Sequence, residues 1–252
     1  MSRTALVIGI GAGDPGHVTV GAIDAMRAAD ALFLLDKPNA GTLTGIRQEI
    51  VDRHAPDTPV VLVPDPPRDR SAERGASRPD GAYAANVGAW HDARAAALAD
   101  ALVEHVPEGG NAGFLVWGDP SLYDSTLRVI DRVSATIPLV PKVIPGITSV
   151  QALTAAHAIL LNRVGEPIHI TTGRRLHEDD GRNTVVMLDA DCTFRETAHP
   201  DDHIYWGAYL GTPDEILLDG PVSEVGDLIA RTRAEAREKH GWIMDVYLLR
   251  RP

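Results

Sequence analysis

The strongest constraint on this chain is a repeated arrangement in which an apolar run of strand length closes on Gly-Asp-Pro. The first copy is VIGIGAGDP, residues 7–15, and the second is GFLVWGDP, residues 113–120. Apolar, β-branched runs of this length, ended by glycine, suit strands buried on both faces, as in parallel sheets. Similar runs recur between and after them. TALVIGI (4–10), ALFLL (31–35, followed by Asp36 and Lys37), VVLV (60–63), GFLVW (113–117) and KVIPG (142–146) alternate with helical periodicities. One helix is expected from a Thr19 cap through Ala29, with Ile23 and Met26 on one face. Others are expected at 42–54, at 84–106 on Trp90, Ala93, Ala97 and Ala101, and over Leu122, Val129 and Val133. Strand-helix alternation of this kind builds βαβ units with right-handed crossovers.

Past Ile147 the pattern changes. One helix (148–160) precedes three strand candidates, PIHITT, TVVMLD and HIYWGAYLG, and a helix from Ser223 to Lys239 leads to WIMDVYLL. More strands per helix implies a mixed sheet. The expected fold class is therefore α/β, with two α/β domains: residues 1–146 around a parallel sheet and 147–252 around a mixed one. The stretch PDPPRDRSAERGASRPDG (64–81) has no apolar periodicity and serves equally as a solvated loop or a functional lid.

A chain of 252 residues is long enough for two modest cores. Its net charge of −11, with no basic run, disfavours a nucleic-acid partner but leaves room for a local basic pocket. The single cysteine, Cys192, excludes an intrachain disulfide and any CxxC metal site, and suits a small buried hydrophobe. No basic leader with a cleavage site and no run of about 18 apolar residues occurs, so a cytoplasmic protein without a membrane partner is expected.

The first glycine loop nearly spells the dinucleotide fingerprint GxGxxG. Counted from Gly9 and Gly11, however, the third glycine position is Asp14, whose carboxylate repels a phosphate. Counted from Gly11 and Gly13 it is Gly16, but Pro15 then removes a backbone N–H from the cradle. Asp14-Pro15 and Asp119-Pro120 are also good helix-opening pairs, so each copy alone is open to a capping role. Two copies at the ends of buried parallel strands nonetheless point to the end of the sheet where ligands bind. Further candidates are VIPGITS (143–149), Met187 in VVMLD, and YLGTPDE (209–215), where Thr212-Pro213-Asp214 would ordinarily start a helix.

As an ordered set, GxGxGDP, GDPxxY near 120, PGITS near 147, a strand methionine near 187 and LGTPDE near 212 resemble the tetrapyrrole methylases, across essentially the whole chain. That family transfers methyl groups from S-adenosylmethionine to carbons of uroporphyrinogen and precorrins. Within it, VIGIGAGDPGHVTVGAIDAMRAADALFLLDK, VWGDPSLYDSTLR and YLGTPDEILLDGP are similar to a deacetylating member of aerobic cobalamin synthesis. The implied reaction methylates C1 of precorrin-5 and expels the ring-A acetyl group as acetate.

The resemblance implies a homodimer of two-domain chains with the methyl donor in a cleft between the domains. Its donor contacts map onto Trp117, Gly118, Asp119, Leu122, Thr148, Ser149, Met187, Leu188, Ala208, Tyr209, Met244 and Asp245. Trp117 departs from the glycine common at its position, so its indole must fit beside the donor or turn away. The first motif, Gly11, Gly13, Asp14 and Pro15, maps to the tetrapyrrole side. An anionic tetrapyrrole calls for cationic partners, for which Lys37, Arg68, Arg70, Arg74, Arg78 and Arg163 are candidates. Deacetylation needs an activated water and a proton donor or oxyanion stabiliser, for which Asp14, His17, Asp119 and Tyr123 lie nearest the motifs. No metal is expected. Methylation of another precorrin position, of RNA or of protein keeps the same fold, and a nicotinamide-dependent enzyme is the alternative the first loop superficially offers.

Overall fold

Buried apolar strands and amphipathic helices assemble here into two sheets. The computed structural model of the protein describes residues 1–36, 41–66, 81–179 and 182–252. The first sheet contains β1 (Arg3–Gly9), β2 (Ala31–Asp36), β3 (Val60–Pro64), β4 (Asn111–Val116) and β5 (Leu139–Ile144). Their order is β3-β2-β4-β1-β5 and every pairing is parallel, as expected. Alternate residues feed two cores. Ala5, Val7, Phe114 and Val116 pack under α3 (Gly81–His105) and α4 (Thr126–Ser134), through Leu98, Leu102, Val129 and Val133. Leu6, Ile8, Ile10 and Leu115 pack under α1 (Val20–Arg27) and α2 (Gly41–His54), through Ala22, Met26 and Ile50. Thr19 caps α1 as expected, its hydroxyl accepting from the Ala22 N–H at 3.1 Å.

The second sheet contains β6 (His169–Thr172), β7 (Asn183–Met187), β8 (His203–Ala208), β9 (Ile216–Pro221) and β10 (Asp245–Arg250), in the order β6-β7-β10-β8-β9. Only β6 and β7 pair in parallel, so the sheet is mixed. Around it lie α5 (Ser149–Ala156), the short α6 (Phe194–Thr197) and α7 (Val222–His240). Trp206, Tyr247 and Phe194 anchor the core, the last two meeting edge to face at 5.2 Å.

Several expectations are corrected. Neither Asp119-Pro120 nor Thr212-Pro213-Asp214 opens a helix. Leu122 sits in a loop and α4 starts at Thr126, because Asp119 spends its side chain on a turn. At the other site the Thr212 hydroxyl donates back to the Tyr209 carbonyl at 2.7 Å, forming a turn that leads into β9, a strand not foreseen.

The chain forms two compact units. One comprises Met1–Gly11 with Pro15–Ile147, the other Ala12–Asp14 with Thr148–Pro252. Among the described residues no helix is long and apolar enough to cross a membrane.

Candidate functional site

In the first unit the ends of β1, β4 and β5 approach through glycine backbone alone. A Cβ on Gly9 would lie 2.6 Å from the Gly146 nitrogen; one on Gly146 would collide with the Gly118 carbonyl oxygen and sit 2.7 Å from the Gly9 carbonyl carbon. Just beyond, Gly11 and Gly118 form an antiparallel bridge, the Gly118 N–H donating at 2.8 Å and the Gly11 N–H at 3.4 Å. Both have positive φ, 84° and 65°, which glycine adopts without steric cost. The two motifs that sequence reading treats as echoes are thus joined by backbone.

Asp119 locks this junction to the end of β5. One carboxylate oxygen accepts from the Ser121 N–H (2.8 Å) and hydroxyl (2.5 Å), the other from the Gly146 N–H (2.9 Å). Burial alone would push its carboxyl up, but the Ser121 and Gly146 bonds outweigh that and hold it below the usual range. An ionised acceptor with both oxygens engaged is suited to positioning rather than to giving a proton. Tyr123, nearby in the chain, holds a left-handed φ of 52° with its side chain 46% exposed. Partial burial pushes its phenol up, so it stays protonated at neutral pH.

The first motif is less uniform. A Cβ on Gly13 would meet Thr212 Cγ2 at 2.6 Å and the Leu210 carbonyl oxygen at 2.9 Å, packing that ties Ala12–Asp14 to the second unit. Asp14 is half-buried. Pro15 opens a 3-10 turn, Pro15–His17, whose Pro15 carbonyl lies 2.8 Å from Nε2 of His54 on α2. His17 lies against Gly11, and its Nδ1 is buried without a hydrogen-bond partner among the described residues.

Trp117 turns its indole into the core on the α1/α2 side of the sheet, beneath a residue the sequence did not single out. The guanidinium carbon of Arg47, on α2, sits 4.9 Å from the indole centre. Neither Arg47 Nε nor Trp117 Nε1 finds a hydrogen-bond partner among the described residues. Burial pushes the Arg47 guanidinium down to about 10, opposed in part by the charge of Asp124.

In the second unit, strand register gathers the expected donor contacts. Met187 ends β7 opposite Val246, and Asp245 begins β10 opposite Ala208, the end of β8. Met187, Met244-Asp245 and Ala208-Tyr209 therefore form one row across the sheet. Two members just past strand ends hold left-handed backbone, Leu188 (φ 55°) and Tyr209 (φ 52°), a strained conformation for bulky residues that concentrates at functional sites. Each is fixed from behind. The next residue, Asp189, is buried and accepts from the Tyr247 hydroxyl (2.7 Å), the Thr193 N–H (2.7 Å) and the Thr193 hydroxyl (2.8 Å). The Tyr209 hydroxyl donates to the Trp242 carbonyl at 2.6 Å and its N–H to the Met244 carbonyl at 3.0 Å. Leu188 remains 62% exposed.

Asp245 is committed internally. Its carboxylate accepts from Arg233 Nε (2.9 Å) and Trp206 Nε1 (3.1 Å), and burial pushes the carboxyl up despite the arginine. Only its main chain remains for a ligand. Thr148 caps α5, its hydroxyl accepting from the Val150 N–H at 3.1 Å in a capping box with Gln151. Near the other end of α5, His157 Nε2 lies 3.1 Å from the Trp206 carbonyl, while Leu153 lies against Gly207. The helix therefore runs antiparallel to β8 and points Thr148-Ser149 toward the Ala208 end.

Arg163 does not join this row. Its loop is held by Asn183 and Arg250, which bond the Leu161 carbonyl at 3.1 and 3.2 Å from the opposite ends of β7 and β10. Lys37, Arg68, Arg70, Arg74 and Arg78 lie outside the described residues. Among the described residues no group of three or more His, Cys, Asp and Glu is placed to hold a metal ion.

Comparison with known proteins places this geometry in context. The model of the Tetrapyrrole (Corrin/Porphyrin) Methylases matches residues 5–226. Precorrin-6A synthase [deacetylating] of Sinorhizobium sp is 48% identical over 99% of this chain and 95% of its own length. The crystal structure of a cobalamin synthesis related protein (CobF) from Corynebacterium diphtheriae superposes with a TM-score of 0.86 at 45% identity, covering 99% of both chains. The uroporphyrin-III C-methyl transferase of Thermus thermophilus, solved with its S-adenosyl homocysteine, shares the fold at 15% identity and a TM-score of 0.60, over 98% of this chain and 92% of that one.

Proposed function

This chain belongs to the tetrapyrrole methylases, and from that premise we propose that it is the S-adenosylmethionine-dependent enzyme that methylates precorrin-5 at C1 and releases acetate, giving precorrin-6A. The observation that carries the assignment is the end-to-end likeness to a deacetylating precorrin-6A synthase. The local geometry supports it. The row of Met187, Leu188, Ala208, Tyr209 and Met244 offers an apolar shelf with strand-end backbone groups, which suits an adenosyl ligand better than a highly charged one. Gly118 and Leu122 on the second motif, and Thr148-Ser149 at the start of α5, are the other donor contacts in this reading.

The donor supplies an already activated methyl group, so this chain's contribution to the transfer is alignment. Asp119 fixes the loop between Gly118 and Ser121 against Gly146, and the capping box fixes Thr148. The tetrapyrrole is assigned to the first motif, Gly11, Gly13, Asp14 and Pro15. For acetate loss, water adds to the acetyl carbonyl carbon and gives up a proton, the C–C bond to ring A breaks with its electron pair left on C1 for the bond to the incoming methyl group, and acetate departs. His17, with an unpartnered ring nitrogen, takes that proton, and Asp14 lies within the same loop. The neutral Tyr123 phenol donates to the developing oxyanion.

Exposed Leu160, Val164 and Ile170 flank or occupy edge strand β6 and support a homodimer, which sedimentation checks directly. We place the protein in the cytoplasm. The decisive assay supplies enzymatically generated precorrin-5 and methyl-labelled donor, then measures acetate and label in the tetrapyrrole. Equal amounts of both are expected, and methylation without acetate would remove the deacetylating assignment.

A further inference from the structure

Three of the four buried side-chain polar atoms that lack a partner among the described residues lie in one part of the first unit: His17 Nδ1, Arg47 Nε and Trp117 Nε1. Their arrangement is not scattered. Trp117 immediately precedes Gly118, and His17 lies against Gly11, the two glycines that bridge each other. The helix carrying Arg47 is held to the His17 turn by the bond from His54 to the Pro15 carbonyl. Arg47 itself spans to the indole face.

A buried guanidinium normally costs several kcal/mol unless a carboxylate or a full set of acceptors compensates it. None does so here. Arg47 makes no ion pair among the described residues; the nearest relief is the longer-range charge of Asp124 and the π-face of Trp117. An indole N–H has donor capacity only, so its burial without an acceptor adds to the deficit. Folding alone does not explain retaining two unmet donors at one guanidinium–indole contact. A ligand that brings acceptor oxygens and negative charge does.

We propose that Arg47, with Trp117 beside it, binds a ligand carboxylate. This rests on the methylase reading above and gives its substrate site a cation drawn from described residues. Two ligands of that reaction carry carboxylates, the acid side chains of the tetrapyrrole and the methionine end of the donor. The bond that holds the helix of Arg47 to the Pro15 carbonyl, in the first motif, favours the tetrapyrrole.

The test compares Arg47→Met, Arg47→Lys and the parent protein in the precorrin-5 assay, in calorimetry with S-adenosylhomocysteine, and in thermal unfolding without ligand. Removing a charge-assisted bond should raise KM for the tetrapyrrole about 10- to 100-fold in R47M, with partial rescue in R47K. S-adenosylhomocysteine affinity should not change. Because the buried Nε has no hydrogen-bond partner among the described residues, R47M should unfold at the same or a higher temperature. A weakened S-adenosylhomocysteine affinity with unchanged KM would place the carboxylate on the donor instead, within the same proposal. A lower unfolding temperature with KM and affinity both unchanged would show a purely structural arginine and overturn it. Should the parent protein itself fail to consume precorrin-5, the methylase assignment fails, and that outcome is read from the parent alone.

Discussion

Replacing Gly146 by alanine probes the closest backbone approach in the first unit. The added Cβ would collide with the Gly118 carbonyl oxygen and stand 2.7 Å from the Gly9 carbonyl carbon, both main-chain atoms that cannot swing aside. Ordinary carbon contacts begin near 3.5 Å, so the strand ends must part by roughly 0.8 Å. Overpacking of this kind costs about 1–3 kcal/mol. The displacement also strains the bond from the Gly146 N–H to Asp119, a hydrogen bond to a charged group worth a further 1.5–3 kcal/mol, roughly. A total of about 2.5–6 kcal/mol corresponds to a fall in Tm on the order of 10 °C for a protein of this size. Since a 1 Å misplacement near a reacting centre costs about 100-fold, precorrin turnover should fall by that order even below the new Tm. The assay is thermal unfolding with acetate release at 20 °C or so, set beside Gly45→Ala as control. Gly45 lies in α2 with nothing within 4 Å of its added Cβ, and alanine there should stabilise by about 0.5–1 kcal/mol. A G146A protein with Tm within about 2 °C of the parent and undiminished turnover would refute the account of the glycine junction.

Other perturbations bear on separate parts of the site. Asp119→Asn puts an NH2 group or a weaker acceptor against the Ser121 and Gly146 donors and should cost about 1–3 kcal/mol by urea unfolding at pH 7. The Asp119 carboxyl is held below its unfolded value, so its contribution is complete above about pH 4 and disappears as pH falls through the lower folded value; the stability gap between parent and D119N should close on acidification. Leu188→Gly relieves a left-handed φ and should leave stability unchanged or raise it by about 1 kcal/mol, while weakening S-adenosylhomocysteine binding in calorimetry; unaltered affinity would remove Leu188 from the donor site. Arg233→Met strands Asp245 in the interior and should destabilise by about 3–5 kcal/mol, whereas a neutral result would show that the pair is dispensable.

Much of the architecture was legible because its signals are local. Apolar runs marked β1, β2 and β4, the first and last of them ended by glycine, and Thr19 announced the start of α1. The Asp-Pro and Thr-Pro-Asp stretches misled, since the same side chains that cap helices also close turns, and nothing in a short window tells which donor is nearer. Residues 216–221 were not read as a strand because only pairing with β8 defines them. Met187, Ala208 and Asp245 were expected at the site from motif order, yet their alignment into one row is a matter of register across three strands. Arg163 looked eligible by charge, but its loop is tied to the far ends of β7 and β10. Arg47 carried no signal at all. What distinguishes it is a buried Nε with no partner among the described residues, set against an indole, a three-dimensional property with no trace in spacing.

The grouping of Ala12–Asp14 with Thr148–Pro252 has a consequence for how the enzyme comes into being. On the ribosome this tripeptide emerges with β1, long before the residues it packs against exist. The first sheet can close its own hydrogen-bond ladder during translation, yet its leading loop stays slack until the last strands have been made. Gly13 finds Leu210 and Thr212 only then. The earliest of these motifs to be synthesised is therefore the last to gain its packing, and a prematurely terminated chain would carry Gly13 without its neighbours Leu210 and Thr212.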